Sequence, residues 1–187
     1  MRRREMVDLI STSPRFNRKA VAALLFAATC IFAFFAFVAV TNAAGATQIS
    51  GTGFFNDLSG ECIPGADDVG PEGQAPDFAL RLTGDLQGCH YVFVETAQCS
   101  PSGTYRETGT ELFVGNYGGE SGRFRTTYRF EAKYEDCETL DTEIFGRCQH
   151  PIIAGTGEDV FEGVGGRLDF KDDIEAGNFP YRGHLRW

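Results

Sequence analysis

The three histidines are the side chains of this sequence best suited to proton transfer near neutral pH. His150 alternates with Cys148, so we expect it to point inward, either as a cavity base or, as we favour, as a hydrogen-bonded core histidine. His184 shares a face with Arg182 and is expected outside the fold. His90 opens a predicted strand and is expected to be a partly exposed end residue.

The signatures of common enzyme classes are absent from the sequence. It has no glycine loop followed by Gly-Lys-Ser/Thr, and it has no Gly-x-Ser-x-Gly. A dinucleotide-binding glycine pattern is also missing, because Val160 occupies the place of the third glycine. We therefore predict no catalytic residue, with His150 as the single candidate if the domain is an enzyme, and no cofactor.

Two acidic clusters and one basic row have the residue types for ion binding. The clusters are Asp67, Asp68 and Glu72, and Asp169, Asp172, Asp173 and Glu175; the row is Arg123, Arg125, Arg129 and Lys133. Neither cluster has the spacing of a calcium loop, so we interpret both as solvated turn residues. We expect cross-strand ion pairs rather than anion binding from the basic row.

Five cysteines follow an N-terminal apolar run and indicate an oxidising compartment. They are Cys62, Cys89, Cys99, Cys137 and Cys148. The odd number limits the domain to two disulfides and leaves one thiol free or paired with another chain. Cys-His neighbours exist at two places, but no Cys-x-x-Cys or His-x-x-x-His spacing accompanies them, so we predict disulfides and no metal site.

The N-terminal part of the chain has the pattern of an export segment. Residues 1–19 form a basic region, residues 20–40 are an unbroken apolar run, and residues 41–46 contain the small-residue pattern of a possible cleavage site. At about 1.5 Å per residue the run is long enough to cross a bilayer as a helix, so both a cleaved signal and a retained membrane anchor stay open. We expect the N-terminus in the cytoplasm and the domain outside it, secreted or anchored.

The remaining residues 47–187 form one strongly acidic domain. Residues 1–46 hold six Lys/Arg and two Asp/Glu, so this domain holds 11 Lys/Arg and 24 Asp/Glu and carries a net charge of −13. Because such a surface repels phosphates, we predict that nucleic acid is not a partner.

The domain is predicted to be all-β. In the clearest strand, 122–135, Phe124, Tyr128 and Phe130 alternate with charged residues, which is typical of a strand with one buried face. The same pattern predicts seven further strands at 47–55, 78–84, 88–96, 104–115, 143–153, 164–171 and 179–187. Short glycine turns join them into a meander that can close into an eight-stranded antiparallel β-barrel, with a two-sheet sandwich as the alternative.

The segment from Ala154 to Leu168 carries a resemblance to a known family. Its Gly-Thr-Gly, Phe, Gly and Gly-Gly pattern resembles the barrel of allene oxide cyclases, which belongs to the calycin-like barrels and which dirigent proteins share in looser form. The motif residues are Gly155, Gly157, Phe161, Gly163, Gly165 and Gly166. The tail 168–185 is similar to the closing hairpin of exported bacterial proteins with this barrel. The resemblance implies the barrel fold, with Phe161 as a plug, and does not imply the cyclase activity.

The predicted strand directions also lead to a disulfide prediction. Successive loops of an up-and-down barrel alternate between its two ends, so the loops that hold Cys62 and Cys99 share one rim, and we predict a bond between them. Cys89 and Cys99 would lie at opposite ends of one strand, too far apart for a disulfide. Cys137 falls on the same rim as Cys62 and Cys99, and the partners of the remaining cysteines stay open.

We expect an exported, non-catalytic barrel that binds a small apolar ligand or a cell-surface partner. The alternative is a cavity isomerase or cyclase that acts on a lipid-like substrate, with His150 and a carboxylate steering protons. A third possibility is a structural role in a surface assembly. Whether the barrel interior is filled or forms a pocket, and the oligomeric state, stay open at this stage.

Overall fold

A computed structural model describes residues 45–187. The predicted segments 1–19 and 20–40, with the hydrophobic helix expected there, lie outside the described residues, as does most of the predicted cleavage region 41–46. Within residues 45–187 no helix has the length and apolar character needed to span a membrane.

The described chain is a succession of β-strands. They are β1 Thr47–Asn56, β2 Phe78–Gly84, β3 Leu86–Cys99, β4 Thr104–Tyr117, β5 Glu120–Tyr134, β6 Glu143–Pro151, β7 Glu158–Asp159, β8 Gly165–Lys171 and β9 Phe179–Arg186. Each of the eight predicted strands is present, and the ninth, β7, is a two-residue strand that pairs with the start of β5. The only helical segments described are two single 3₁₀ turns, Gly60–Cys62 and Pro71–Gly73.

The eight long strands close into a barrel. Each pairs antiparallel with its neighbours in the order β4-β3-β2-β1-β9-β8-β6-β5, and β5 pairs back to β4. Closure gives every long strand a partner on both sides, so the sheet has no edge strand. The predicted all-β, eight-stranded antiparallel barrel is confirmed, and the sandwich alternative is excluded.

Alternation of apolar and polar residues decides which side chains enter the barrel. In β5, Phe124, Thr126 and Tyr128 are buried, whereas Thr127 and Arg129, which alternate with them, are exposed. The β4–β5 hairpin turns through Gly118 and Gly119, both of which have positive φ angles that favour glycine. This turn fixes the register, so that Glu111 of β4 lies directly opposite Thr126 of β5.

One end of the barrel is filled by aromatic side chains. Phe161, in the turn that follows β7, is fully buried, and its ring centroid lies 4.9 Å from that of Phe124 and 5.7 Å from that of Phe113. Gly157 makes room for this turn, because a side chain there would collide with the carbonyl of Phe161. We call this end, formed by the β2–β3, β4–β5 and β6–β8 connections, the plugged end.

The long connection 57–77 folds down the outside of the barrel. It covers the outward faces of β2, β3 and β4, where Phe93 and Leu112 are buried. At Gly70 the loop backbone lies so close to the Phe93 ring that an added Cβ would stand 2.6 Å from it. The loop therefore forms a second layer on one side of the barrel wall.

The cysteine pairing differs from the prediction. Cys62 is bonded to Cys89 and Cys99 is bonded to Cys137, so the predicted Cys62–Cys99 bond is wrong. The reason is the path of the 57–77 loop, which leaves the rim and brings Cys62 to the outer face of β3. Cys99 and Cys137 do share a rim, and Cys148 is a buried free thiol. The two disulfides are consistent with an extracytoplasmic location.

The barrel wall is uneven at the end opposite the plug. Phe78, the first residue of β2, pairs with Val92, so the part of β3 beyond Val92 extends past β2 together with its partner β4. The Cys99–Cys137 bond ties the tip of this β3–β4 hairpin to the β5–β6 connection. We call this end, formed by the connections 57–77, 100–103, 135–142 and 172–178, the open rim.

Candidate functional site

A layer of four polar side chains crosses the barrel interior midway between its ends. His90 of β3, Glu111 of β4, Thr126 of β5 and His150 of β6 all point inward, and each is at most 2% exposed. Their strands are consecutive neighbours in the sheet, and each residue stands at an inward position of its strand. The alternation that builds the core therefore also brings these four residues together. We call them the polar layer.

One carboxylate oxygen is the centre of the polar layer. Oε2 of Glu111 accepts hydrogen bonds from the Thr126 hydroxyl at 2.5 Å and from Nδ1 of His150 at 2.6 Å. Nε2 of His90 lies 3.4 Å from the same oxygen and 3.3 Å from the Thr126 hydroxyl. A carboxylate that receives this many donors is stabilised in its ionised form.

The pKa values follow from burial and from these contacts. Burial alone would raise the pKa of Glu111, but the two histidines and the hydrogen bonds from His150 and Thr126 lower it to about 2. Burial lowers the pKa of His90 to about 4, so His90 is neutral at neutral pH. Glu111 is consequently a buried carboxylate at any physiological pH.

The hydrogen bonds define the tautomer of a neutral His150. Its Nδ1–H must donate to the carboxylate, because an ionised carboxylate only accepts, and Nε2 is then left with a lone pair. Nε2 of His150 is buried and has no hydrogen-bond partner in the described part of the chain. His150 also lines the cavity described next, so this unsatisfied acceptor belongs to the cavity floor.

A cavity of about 280 Å³ occupies the half of the barrel between the polar layer and the open rim. Its walls are mostly aromatic and aliphatic and include Phe78, Leu80, Tyr128, Phe130, Phe170 and Phe179. Glu111 and His150 lie at its floor. The barrel interior is thus filled at one end and hollow at the other, which answers the question that the sequence left open.

Three further carboxyls line the cavity above the floor, one alone and two as a pair. Glu107 accepts hydrogen bonds from the hydroxyls of Tyr105 at 2.5 Å and of Tyr128 at 2.8 Å. Glu143 and Asp172 form a second group near the rim, and both place an oxygen where a side chain on Gly146 would lie. Burial and the adjacent Glu143 raise the pKa of Asp172 to about 8, so this pair shares a proton at neutral pH.

Cys148 also lines the cavity but is a poor nucleophile. Burial and the nearby carboxylates Glu111, Asp172 and Glu107 raise the pKa of its thiol well above the ordinary range. A nucleophilic cysteine needs the opposite environment, one that stabilises the thiolate. The thiol therefore serves as a small apolar wall group.

The polar layer has the donor set of a metal site as well. The ligand atoms of His90, Glu111 and His150 lie within 4.8 Å of one another, and two histidines with a carboxylate can bind zinc or iron. In the present arrangement Glu111 is engaged by hydrogen-bond donors from Thr126 and His150. Nδ1 of His90 and Nε2 of His150 are buried and have no hydrogen-bond partner among the described residues. The sequence predicts that no metal binds in this domain, and this expectation stays a prediction.

The structure places the three histidines in different surroundings. His150 lies inside the barrel beside Cys148, and His184 faces outward between the exposed Arg182 and Arg186. The expectation for His90 is wrong, because it is fully buried. The strand begins at Leu86, two residues before the predicted start, so His90 is an inward residue of β3 rather than its end.

The remaining predicted residues do not gather at one site. The motif glycines and Phe161 lie at the plugged end, where Gly166 has a φ of 130° and its position lies against the carbonyl of His184. The interpretation of both acidic clusters as solvated turn residues is wrong for two members. Asp172 lines the cavity, and the side chain of Asp68 is 13% exposed and pairs with Arg123 on the outer wall, whereas Asp169 pairs with Arg167. Arg123 also pairs with Glu158 of β7, as expected of cross-strand ion pairing.

Glu111 and Glu107, two of the four acids that line the cavity, were not predicted from the sequence. The signal was present, because both have the same parity in β4 as Tyr105 and Phe113, which are inward residues. Charged residues are rarely placed inside without a partner, and the partners of Glu111 come from β5 and β6, far away in sequence.

Comparison of the chain with protein-family models, with curated proteins and with solved structures finds no match in any of the three. Its class is therefore defined by the structure alone as an eight-stranded antiparallel β-barrel with two disulfides.

Proposed function

We propose that this protein is an exported, non-catalytic barrel that binds one small, largely apolar molecule in the open half of its interior. The observation that supports this proposal is the cavity of about 280 Å³, which opens at one rim and has mainly apolar walls. Ligand pockets of proteins commonly measure roughly 300 to 1,000 Å³, so this cavity stands near the small end. An apolar cavity of about 150 Å³ takes up benzene, so the cavity of this barrel has room for a molecule roughly twice the size of benzene.

The resemblance of residues 154–168 to the allene oxide cyclase barrel agrees with this proposal. The resemblance implies that Phe161 plugs one end of the barrel, and in this chain Phe161 is fully buried there while the opposite half contains the cavity. We therefore propose that the chain belongs with these calycin-like barrels and, like them, binds its ligand inside the barrel. A cell-surface protein partner is compatible with the same fold, but no surface feature described above favours it.

Binding can be tested with N-phenyl-1-naphthylamine, a neutral apolar probe whose fluorescence rises in apolar surroundings. We expect the exported protein to bind it at one site and Val92→Phe to weaken binding at least tenfold, because Val92 lines the cavity and is 2% exposed. Thr127→Phe is the matched control, since it adds the same side chain to the outer face of β5. Failure of the wild-type protein to bind the probe would count against the proposal.

An isomerase that acts on a lipid-like substrate is the second candidate. The observation in its favour is the Glu111–His150 pair at the cavity floor, which could hold and move a proton. Incubation with unsaturated fatty-acid epoxides followed by chiral chromatography separates the two functions. We expect the epoxides to give the same products with the protein as in buffer alone. A stereochemically pure product that disappears in Glu111→Gln would establish the enzyme instead.

A further inference from the structure

The polar groups that line the cavity have one chemical feature in common: they accept hydrogen bonds or carry negative charge. Four carboxyl groups line it, those of Glu107, Glu111, Glu143 and Asp172, and His150 is the fifth ionisable side chain apart from the tyrosines and Cys148. No lysine or arginine of the described residues lines it. A ligand that carries a carboxylate would therefore meet no cation and several like charges.

Two polar side-chain atoms of cavity-lining residues are buried and have no hydrogen-bond partner within residues 45–187. In the neutral imidazole ring whose Nδ1–H donates to Glu111, Nε2 of His150 carries a lone pair. Oε1 of Glu143 belongs to the carboxyl pair near the rim. Unsatisfied buried acceptors are costly, and a ligand with N–H groups would satisfy them. His150 is 2% exposed and stands at the floor, so it supplies this signal independently of the acidic residues.

The apolar walls are suited to the same kind of ligand. The rings of Tyr105, Tyr128, Phe130 and Phe170 line the cavity that the carboxyls share. An ammonium group is attracted to the faces of aromatic rings as well as to carboxylates. A wall of this composition accepts both the charged head and the apolar body of one molecule.

The charge distribution around the mouth points the same way. The four connections of the open rim contain 13 of the 24 acidic residues of the domain, and they contain no lysine or arginine. All 11 basic residues of the described chain lie in strands. The mouth therefore attracts cations and repels anions over a distance set by the ionic strength.

We propose that the cavity selects a small cationic amphiphile, an organic amine or ammonium compound with an apolar or aromatic body. This inference rests on the proposed ligand-binding function and adds the class of ligand. The amine donates to Nε2 of His150 and lies among carboxylates and ring faces, while its apolar body packs against the apolar walls. A neutral analogue fills the same walls without the charge, and a carboxylate analogue is rejected.

The test uses three compounds with one body: 4-phenylbutylamine, 4-phenyl-1-butanol and 4-phenylbutanoate. Each is titrated calorimetrically into the exported protein at pH 7 and low salt, and each is checked by displacement of N-phenyl-1-naphthylamine. We expect the amine to bind at least tenfold more tightly than the alcohol, and we expect no measurable binding of the carboxylate. Raising the salt concentration should weaken amine binding and leave alcohol binding unchanged.

The outcomes separate the two proposals. Equal affinity for amine and alcohol, or tighter binding of the carboxylate, would overturn the charge selectivity and leave the ligand-binding barrel standing. If neither the probe nor any of the three compounds binds, both proposals fail.

A matched pair of variants locates the selectivity. Glu107→Gln removes a charge inside the cavity and keeps an oxygen that can accept from Tyr128, so we expect the preference for amine over alcohol to fall at least fivefold. Glu120→Gln removes one charge at the plugged end, on an exposed residue, and should leave the preference unchanged. Equal effects of both substitutions would show that only the overall charge acts, and would overturn the assignment of the cavity carboxylates.

Discussion

The two halves of the barrel interior are built from the same strands but differ in what completes them. At the plugged end, a turn from outside the wall inserts Phe161 between Phe113 and Phe124, and the rings fill the space. At the open rim the connections contribute Leu140 and Asp172 to the cavity lining and leave the space between the strands unfilled. The inward Tyr105 and Tyr128 donate their hydroxyls to Glu107. Strand alternation alone therefore does not decide whether a small barrel is solid or hollow. The connections at each end decide it.

The comparison predicts that stability is concentrated at the plugged end. Phe161→Ala removes a fully buried ring and should lower the free energy of unfolding by roughly 3 to 5 kcal/mol, measured by urea denaturation. Phe55→Ala is the control at the open rim, because Phe55 is 62% exposed and its removal should cost less than about 1 kcal/mol. Equal losses for the two variants would contradict the division of the interior.

The next largest effect concerns the disulfide at the open rim. The Cys99–Cys137 bond closes a loop with a sequence separation of 38 residues, and the double variant Cys99→Ser/Cys137→Ser should lose about 3 to 4 kcal/mol of unfolding free energy in the chain-entropy model. Non-reducing peptide mapping should first recover the pairs Cys62–Cys89 and Cys99–Cys137. Recovery of a peptide that joins Cys62 to Cys99 would refute the path described for the 57–77 loop.

The polar layer between the two halves predicts acid sensitivity. The folded pKa of His90 is lowered from 6.5 to about 4, so its contribution to stability is complete above pH 6.5 and is lost as the pH falls towards 4. The folded pKa of Glu111 is lowered from 4.5 to about 2, so its contribution is lost between those values. The free energy of unfolding, measured by urea denaturation, should fall by roughly 2 to 3 kcal/mol between pH 7 and pH 4.

Two histidine variants test which group causes this loss. His184→Asn should leave the acid sensitivity between pH 7 and pH 4 unchanged, because His184 faces outward. His90→Gln should flatten it, since a glutamine at the same place does not titrate. An unchanged profile in His90→Gln would assign the sensitivity to other groups.

A smaller effect is expected at Cys148, in the wall of the hollow half. Cys148→Ala should cost about 1 kcal/mol, since the residue acts as a small apolar group beside existing space. In the native protein the thiol should react with Ellman's reagent far more slowly than in urea, because burial suppresses its ionisation. Rapid reaction of the folded protein would show that the thiol is accessible and reactive.

The smallest expected effect is that of zinc on the polar layer. Because Glu111 is already engaged by His150 and Thr126, one equivalent of zinc should leave the thermal midpoint unchanged within error. If zinc raises the thermal midpoint, and if this effect is lost in both His90→Gln and Glu111→Gln, the polar layer is a metal site.

Most of the wall could be predicted from the sequence, because alternation and turn residues are local. The position of Phe124, the hairpin at Gly118 and the inward direction of His150 follow from a few neighbouring residues. The site could not be assembled in the same way, since Glu111 meets His150 only after three strands have paired in register. The Cys62–Cys89 bond was missed because it depends on the path of an irregular loop.

The uneven height of the wall gives the mouth a direction. The hairpin of β3 and β4 extends past the start of β2. The wall around the cavity is therefore higher at β3 and β4 than at β1 and β2. On the low side, the rings of Phe55 and Phe78 stack at a centroid distance of 5.6 Å, and both line the cavity. For the ligand proposed above, these two rings lie at the low side of the mouth, so we expect substitutions there to change its residence time more than its affinity at the floor.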